Sequence, residues 1–216
     1  MYQRRNCGSE AFLAPLTRES DGHFPMDSPV IEMLATRRSV KPGLLGTPGP
    51  GPAELERILS IAARVPDHKK LSPWRFIVFE GEARSKAGEI FAEACLAEER
   101  EPPSHVRLET ERKRFLRAPL VIAVVSRVVE KPGAPEWEQI LSAGASAFSL
   151  CLAANALGYG TSWVTEWIAY SPRVKAALGL APNERIAGFV YIGTPLEPPP
   201  DRERPKLDEI VTRFPA

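Results

Sequence analysis

The stretch Thr36-Arg37-Arg38-Ser39 sets two guanidinium groups and a hydroxyl side by side at the end of an apolar run. The apolar residues between positions 30 and 34 have helical spacing, and Pro42 prevents a long continuation, so the basic pair is predicted near a helix end. Arginine matches a phosphate or carboxylate with a planar fork, and a neighbouring hydroxyl adds a donor to the same anion. Taken alone, the pair is better explained as solvated arginines at a helix C-terminus, so a functional role depends on the rest of the chain.

Composition limits the partners that the protein can have. The 216 residues suffice for one well-buried domain and are few for two. Lysine and arginine number 28 against 27 aspartate and glutamate, a net charge of +1, so neither nucleic acid nor an anionic membrane is expected as a partner. Cys7, Cys95 and Cys151 have neither the spacing of a disulfide framework nor that of metal ligands. We therefore expect no metal site and a location in the reducing cytoplasm.

The distribution of proline, glycine and charge predicts two segments. Residues 1–28 mix these residue types without a sustained period, which predicts a flexible N-terminal extension rather than a secretory signal. Residues 29–216 carry the periodic apolar segments and are predicted to form the folded domain. No apolar segment reaches the ~20 residues needed to cross a bilayer, so we expect no membrane partner.

Four apolar segments predict the main strands and the longest helix of this domain. Residues 76–79 and 120–125 are uncharged and bounded by polar residues or proline, and residues 186–192 repeat the pattern near the C-terminus. Residues 137–157 are a long run of small and apolar side chains, which predicts a helix buried on all sides and suited to a dimer core. The order of the elements predicts an α+β or α/β domain with a small sheet wrapped by helices.

Four separated motifs together resemble the flavin-dependent nitroreductase family. They are the Arg-Arg-Ser triplet at 37–39, Ala-Arg-Val-Pro-Asp-His-Lys at 63–69 with Pro73-Trp74, Gly-Tyr-Gly-Thr-Ser-Trp at 158–163, and Gly-Phe-Val-Tyr-Ile-Gly-Thr-Pro at 188–195. The second motif is similar to that of the compact YdjA-like branch. The resemblance covers residues 29–214 and implies an α+β nitroreductase-like fold, with a mostly antiparallel central sheet wrapped by helices and a homodimeric assembly.

The resemblance implies a non-covalently bound FMN and assigns its contacts. Arg37 and Ser39 would hold the phosphate and the ribityl chain, with Arg38 beside them. In an extended segment, residues two apart project to the same side, so Arg37 and Ser39 can grip one anion together. Arg64 and His68 would contact FMN from the partner subunit of the dimer.

The resemblance implies further FMN contacts, and for several of these residues an alternative explanation stays open. The backbone of Trp163, Val164 and Thr165 would bond the edge of the flavin ring, although core packing explains Trp163 equally well. The branch carries arginine at the position of Val164, so no side-chain contact is expected there. Arg204 would be a C-terminal phosphate ligand, with a solvated tail as the alternative. His68 is also the candidate catalytic residue, because imidazole can supply a proton near neutral pH, but a lone histidine in a polar loop is as often a solvated bystander.

The function that the resemblance implies is an FMN-dependent NAD(P)H oxidoreductase. Hydride from NADH or NADPH would pass by way of the flavin to a nitroaromatic compound, a quinone or a similar electron-poor small molecule in ping-pong turnover. Two alternatives remain open, because one fold supports several chemistries. One is a flavin enzyme with other chemistry, such as a dehalogenase or a flavin-consuming enzyme. The other is a flavin-binding redox sensor without turnover.

Overall fold

A computed structural model describes residues 28–214 of the chain. The predicted N-terminal extension, residues 1–28, lies outside the described residues apart from Ser28. By its internal packing the chain divides between Thr36 and Arg37 into two units. Of the first unit the structure describes helix α1, Pro29–Thr36, where the Val30 N–H donates to Ser28 Oγ at 3.3 Å.

The second unit alternates helices and strands as the apolar segments predict. After the helix over Ala83–Glu98 the structure shows a separate helix over His105–Arg112. It also shows a two-residue strand that no sequence pattern marks. The elements are β1 (Leu45–Gly46), α2 (Pro52–Ala62), β2 (Trp74–Glu80), α3 (Ala83–Glu98), α4 (His105–Arg112), β3 (Leu120–Arg127), α5 (Glu136–Ala156), β4 (Gly160–Val164), α6 (Pro172–Ala177), β5 (Glu184–Pro195) and α7 (Leu207–Ile210).

A five-stranded sheet with antiparallel pairing forms the centre of this unit. Strand β3 lies between β2 and β5 and is buried over almost its whole length, which matches its uncharged, β-branched sequence. Strand β5 also pairs with β4 and with β1. The predicted α+β class, with a mostly antiparallel sheet wrapped by helices, is confirmed.

Side-chain alternation along β3 builds one core on each face of the sheet. Its even-numbered residues from 120 to 124 belong to the cluster that includes Ile58 of α2 and Leu150 of α5. Its odd-numbered residues from 121 to 125 belong to the cluster that includes Phe91 of α3 and Phe189 of β5. Phe115 is central to the second cluster, since its ring centroid lies 4.7 Å from that of Phe91 and 5.2 Å from that of Phe189. This ring anchors the short 3-10 turn of residues 114–117.

Helix α5 departs from the prediction that it is buried on all sides. One face packs in the core through side chains such as Ala147 and Leu150. On a second face Trp137, Leu141 and Phe148 are 65%, 52% and 42% exposed. The sequence overstates the burial because, beyond Glu138 in the first turn, no charged side chain marks the exposed face of this helix. We call Trp137, Leu141 and Phe148 the exposed stripe of α5.

Helix α5 is also long and apolar enough to cross a membrane by length and composition. Half of its apolar stretch is buried inside the protein, where the helix packs against β3, β4 and β5. A core helix of this kind meets the same criterion, so its apolar character is accounted for by packing on the sheet.

Gly88 marks a close approach of α3 to α4. A Cβ on Gly88 would lie 2.0 Å from the carbonyl oxygen of Arg112, the last residue of α4. We expect Gly88→Ala to lower the free energy of unfolding by about 1–3 kcal/mol, because one helix backbone must shift. Thermal unfolding followed by circular dichroism measures the loss. Gly43→Ala is the control, since a Cβ there meets nothing within 4 Å; an equal loss in both variants would contradict the packing of α3 on α4.

Candidate functional site

The Arg-Arg-Ser segment is held against the sheet through its backbone. The Val40 N–H donates to Thr161 O at 2.9 Å, and Ser39 forms a parallel bridge with Thr161 near the start of β4. Arg37 and Ser39 lie on one side of the segment, where Arg37 Nη2 donates to Ser39 Oγ at 3.4 Å. The Arg37 guanidinium also lies 5.7 Å from the centroid of the Phe148 ring. We call Arg37 and Ser39 the anion clamp.

One donor of the anion clamp is left without a partner. Arg37 Nε is buried and makes no hydrogen bond to any group of residues 28–214. Leaving a buried donor unpaired costs about 1–3 kcal/mol, so such a group needs an explanation in a folded protein. An anionic oxygen bound at the clamp would satisfy this donor. A guanidinium with an adjacent hydroxyl is a donor set that suits a phosphate.

Arg38 and Arg204 are turned toward the C-terminal tail. Arg38 Nε donates to Pro200 O at 3.0 Å and lies 3.7 Å from Asp201 Oδ1. Arg204 Nη2 lies 4.0 Å from the same Asp201 oxygen. Asp201 thus brings the two arginines together in the tail, and Arg38 is directed there rather than to Ser39.

The three residues predicted at the flavin ring edge line one depression beside β4. Trp163 Nε1 donates to Ala187 O at 3.2 Å. The indole lies over Gly188, where a Cβ would meet Nε1 at 1.9 Å, so glycine makes room for it. The backbone of β4 connects this depression to the anion clamp, because Thr161 of β4 pairs with Ser39. The β4 depression has a volume of about 460 Å³ and is lined by Trp163, Val164, Thr165, Glu166 and Ala187.

Glu166, which the sequence analysis does not single out, has a backbone conformation open mainly to glycine, with φ 54° and ψ 175°. Its carboxylate accepts from Arg117 Nη2 at 2.8 Å and from Tyr191 OH at 3.3 Å, and it lies 2.6 Å from Arg114 Nη1. Burial alone would raise the pKa of Glu166, but the hydrogen bond from Arg117 and the charge of Arg114 outweigh it, and the pKa is lowered. The carboxylate is therefore ionised at neutral pH.

A second carboxylate, Glu111 of α4, is fully buried. It accepts hydrogen bonds from Arg107 and Arg114, and from Trp167 Nε1 at 3.1 Å. Arg114 therefore joins Glu111 to Glu166, and the network ties residues 166 and 167 to the end of α4. In the described part of the chain no cluster of three or more histidine, cysteine or carboxylate side chains could hold a metal ion. Both carboxylates pair with Arg114.

Arg64 and His68 do not line the β4 depression. Arg64 is exposed just after α2, and His68 Nδ1 lies 2.6 Å from Glu138 Oε2 in the first turn of α5. His68 lines a separate depression of about 350 Å³ together with Leu141 of the exposed stripe. Within one chain the structure therefore joins the clamp to the β4 depression and leaves His68 beside the exposed stripe.

The fold defines a mostly antiparallel α+β protein, and its clamp presents donors that suit a phosphate-type anion. A family model described as "Nitroreductase family" matches residues 34–194. The relative "Putative NAD(P)H nitroreductase YdjA" of Escherichia coli strain K12 is 36% identical over 165 residues, which cover 76% of this chain and 87% of the relative. The chain belongs to the nitroreductase family.

Solved structures share the fold. A "putative nitroreductase in complex with fmn" from Desulfovibrio desulfuricans has a TM-score of 0.64 at 22% identity, covering 88% of this chain and 99% of that chain. Iodotyrosine deiodinase bound to FMN and 3-iodo-L-tyrosine has a TM-score of 0.62 at 19% identity, covering 87% and 99%. The predicted family with its YdjA-like resemblance is confirmed, as is the expectation of an oxidoreductase enzyme at the level of the family.

Arg114 supplies positive charge between two carboxylates, and its removal should destabilise the fold. We expect Arg114→Met to lower the free energy of unfolding by about 3–5 kcal/mol, because buried Glu111 loses a charged partner. Urea unfolding at neutral pH measures the change. Arg112→Met is the control, since that guanidinium pairs with Glu89 and Glu109 at the surface and its loss should change stability little.

The loss of stability in the Arg114→Met variant should depend on pH. Because the folded-state pKa of Glu166 is lowered, its stabilising effect is complete above the unfolded pKa of about 4.3 and is lost as the pH falls through the folded pKa. The difference in stability between the wild type and Arg114→Met should therefore shrink as the pH falls below about 4. A difference that stays constant as the pH falls from about 4 through the lowered folded-state pKa would contradict an ionised Glu166.

Proposed function

We propose that this chain is an FMN-dependent NAD(P)H oxidoreductase that reduces nitroaromatic compounds, quinones or similar electron-poor small molecules. The anion clamp carries the proposal, because Arg37 Nε is buried without a partner among residues 28–214 and a phosphate oxygen would satisfy it. Membership of the nitroreductase family and the NAD(P)H in the name of the YdjA relative support the reaction class. FMN-bound structures with the same fold support the choice of flavin.

The chain would hold FMN at two connected places. The clamp would bind the phosphate through the Arg37 guanidinium and the Ser39 hydroxyl, and backbone groups of Val164 and Thr165 would bond the ring edge. When bound, FMN supplies the hydride and electron chemistry that protein side chains lack. Trp163, fixed over Gly188, would form one wall of the β4 depression and exclude water from it.

Arg38 and Arg204 also remain proposed cofactor ligands, but they would act on FMN through long-range charge. Asp201 brings their guanidinium groups together and offsets part of their charge. Two cations near the phosphate end of a bound FMN would favour its double negative charge at long range. Their effect should therefore weaken with added salt, whereas the direct contacts of the clamp should persist. An FMN affinity of the Arg204→Ala variant equal to that of the wild type at low salt would remove Arg204 from the site.

A second copy of the chain is proposed to complete the site. The exposed stripe of α5 offers three large apolar side chains to a partner, and covering it would remove apolar surface from water. His68 lies beside this stripe, so Arg64 and His68 of one subunit would reach the FMN of the other. There His68 could donate a hydrogen bond to the flavin or a proton to the acceptor. Light scattering that gives the mass of a single chain would exclude this arrangement.

The proposed location is the cytoplasm. Cys95 and Cys151, the cysteines that the structure describes, are buried free thiols. Burial raises the pKa of each to about 11, with a hydrogen bond to Glu99 adding to the effect at Cys95. Thiols held in this form are poor nucleophiles, and they suit a compartment that keeps cysteine reduced. Neither cysteine has a place in the proposed reaction.

Loss of the anion clamp should weaken FMN binding. We expect Arg37→Ala combined with Ser39→Ala to lower the affinity for FMN about 100-fold or more, because charge-assisted hydrogen bonds to the phosphate are lost. Quenching of flavin fluorescence measures the dissociation constant. Arg57→Ala is the control, since Arg57 is an exposed arginine of α2 outside the clamp. Undiminished affinity of the double variant would remove the clamp from the proposed site.

Turnover separates the proposed reaction from its alternatives. The FMN-loaded protein should oxidise NADH or NADPH steadily when a nitroaromatic compound or a quinone is present, with the parallel lines of ping-pong kinetics. Loss of the flavin absorbance itself would indicate a flavin-consuming enzyme, and release of halide from a halogenated phenol would indicate a dehalogenase. A yellow protein without turnover would indicate a redox sensor. A preparation that takes up no FMN would contradict all four.

A further inference from the structure

Glu166 combines an unusual backbone with a fixed side chain at the rim of the β4 depression. Among the residues lining that depression it alone has a positive φ. With φ 54° and ψ 175° it occupies a region in which a side chain is rarely tolerated unless the surroundings enforce it. Here the surroundings are Arg114, Arg117 and Tyr191, which all contact its carboxylate. Glu166 therefore has both a strained backbone and a side chain that is held by polar contacts.

We propose that Glu166 is a positioning residue for the flavin. Its carboxylate, held by Arg114 and Arg117, keeps the backbone of residue 166 at its positive φ. That conformation sets the direction of the peptide groups that join Val164, Thr165 and Glu166 along the β4 depression. The inference rests on the proposed function, because it gives these peptide groups a flavin ring to bind.

The following residue prevents the strain from being relaxed elsewhere. Trp167 Nε1 donates to Glu111, and Arg114 bonds the same Glu111 carboxylate. The chain is therefore tied at 166 and at 167 to the same end of α4. On the other side, residues 160–164 are fixed by pairing with β5. Between these fixed points a change of φ at residue 166 must turn the peptide groups of residues 165 and 166.

A role in stability alone makes a different prediction from a role in positioning. If the carboxylate only cross-linked the fold, alanine and glycine at 166 would lose the same contacts, the positive φ would favour glycine in stability, and the FMN affinity of the folded protein would be the same for both variants. If the carboxylate enforces the positive φ, glycine adopts that backbone readily without it, and alanine does not. The order of the two variants in FMN affinity therefore distinguishes the roles.

The experiment compares Glu166→Ala with Glu166→Gly in the full-length protein. We expect Glu166→Ala to lower FMN affinity roughly 10- to 100-fold and Glu166→Gly to retain most of it, measured by quenching of flavin fluorescence. Glu184→Ala and Glu184→Gly are the matched controls. Glu184 is a buried glutamate that Arg75 bonds through two nitrogens at 2.6 and 2.7 Å, but its φ is not positive. At that position glycine should be no better than alanine.

Two outcomes would overturn the inference, and they differ in what else they affect. If the wild type binds FMN and Glu166→Ala binds it as tightly as Glu166→Gly, the positioning role is refuted while the proposed function stands. If the wild type binds no FMN, both are refuted together. Thermal unfolding of the flavin-free variants should be measured in the same series. The positioning role requires Glu166→Gly to bind FMN more tightly than Glu166→Ala, even if the two variants are equally stable.

Arg117 provides a second route to the answer if the Glu166→Ala variant fails to fold. Its side chain is one-third exposed, so its replacement disturbs the core less than that of Arg114. We expect Arg117→Met to weaken FMN binding severalfold in the wild-type background and to have little effect in the Glu166→Gly background, because glycine no longer depends on the arginine. Equal losses in both backgrounds would show that Arg117 acts independently of the backbone at 166 and would overturn the inference.

Discussion

A single backbone contact places the site: the Val40 N–H bonds Thr161 O, and Ser39 bridges to Thr161 beside it. Through β4 this contact joins the anion clamp to β5, and through β5 to the buried strand β3. The clamp thereby inherits the rigidity of the sheet, although it follows a helix end in the sequence. A spacing of two between arginine and serine becomes useful only because the segment is extended here, which sends both side chains to one side.

The buried elements were predictable from the sequence, and the exposed and strained ones were not. Residues 120–125 of strand β3 are uncharged on both faces of the strand, so its central position follows from composition alone. The exposed stripe of α5 was missed because no charged residue follows Glu138 in this helix, so Leu141 and Phe148 resemble core residues. Glu166 was missed because a lone glutamate between Thr165 and Trp167 carries no periodic or motif signal. Its role depends on arginines about fifty residues away in the chain, which only the fold brings to it.

Backbone strain in the described residues gathers in two loops. The non-glycine residues with positive φ are Lys69, Lys70 and Ser72 in one loop and Glu166 in the other. In the first loop the Asp67 carboxylate accepts from the N–H groups of Leu71 at 2.9 Å and Ser72 at 2.8 Å, so a side chain holds the backbone from within the loop. Glu166 instead relies on side chains from the 3-10 turn of residues 114–117 and from β5. The first loop lies within the second sequence motif and the other follows the third, where strain is expected if they serve a ligand.

The free-energy cost of burying the charged groups around Glu111 and Glu166 indicates what this network contributes. Taking carboxylates and guanidinium groups out of water is unfavourable, and apolar residues of similar volume often stabilise a fold as well or better. Stability alone is therefore a weak reason for burying Glu111 completely beside Arg114. Apolar packing is not directional, so it does not fix the orientation of a side chain. A carboxylate that is hydrogen-bonded by two arginines can adopt only a few orientations. A network of this kind is suited to fixing one peptide conformation at the edge of a binding site.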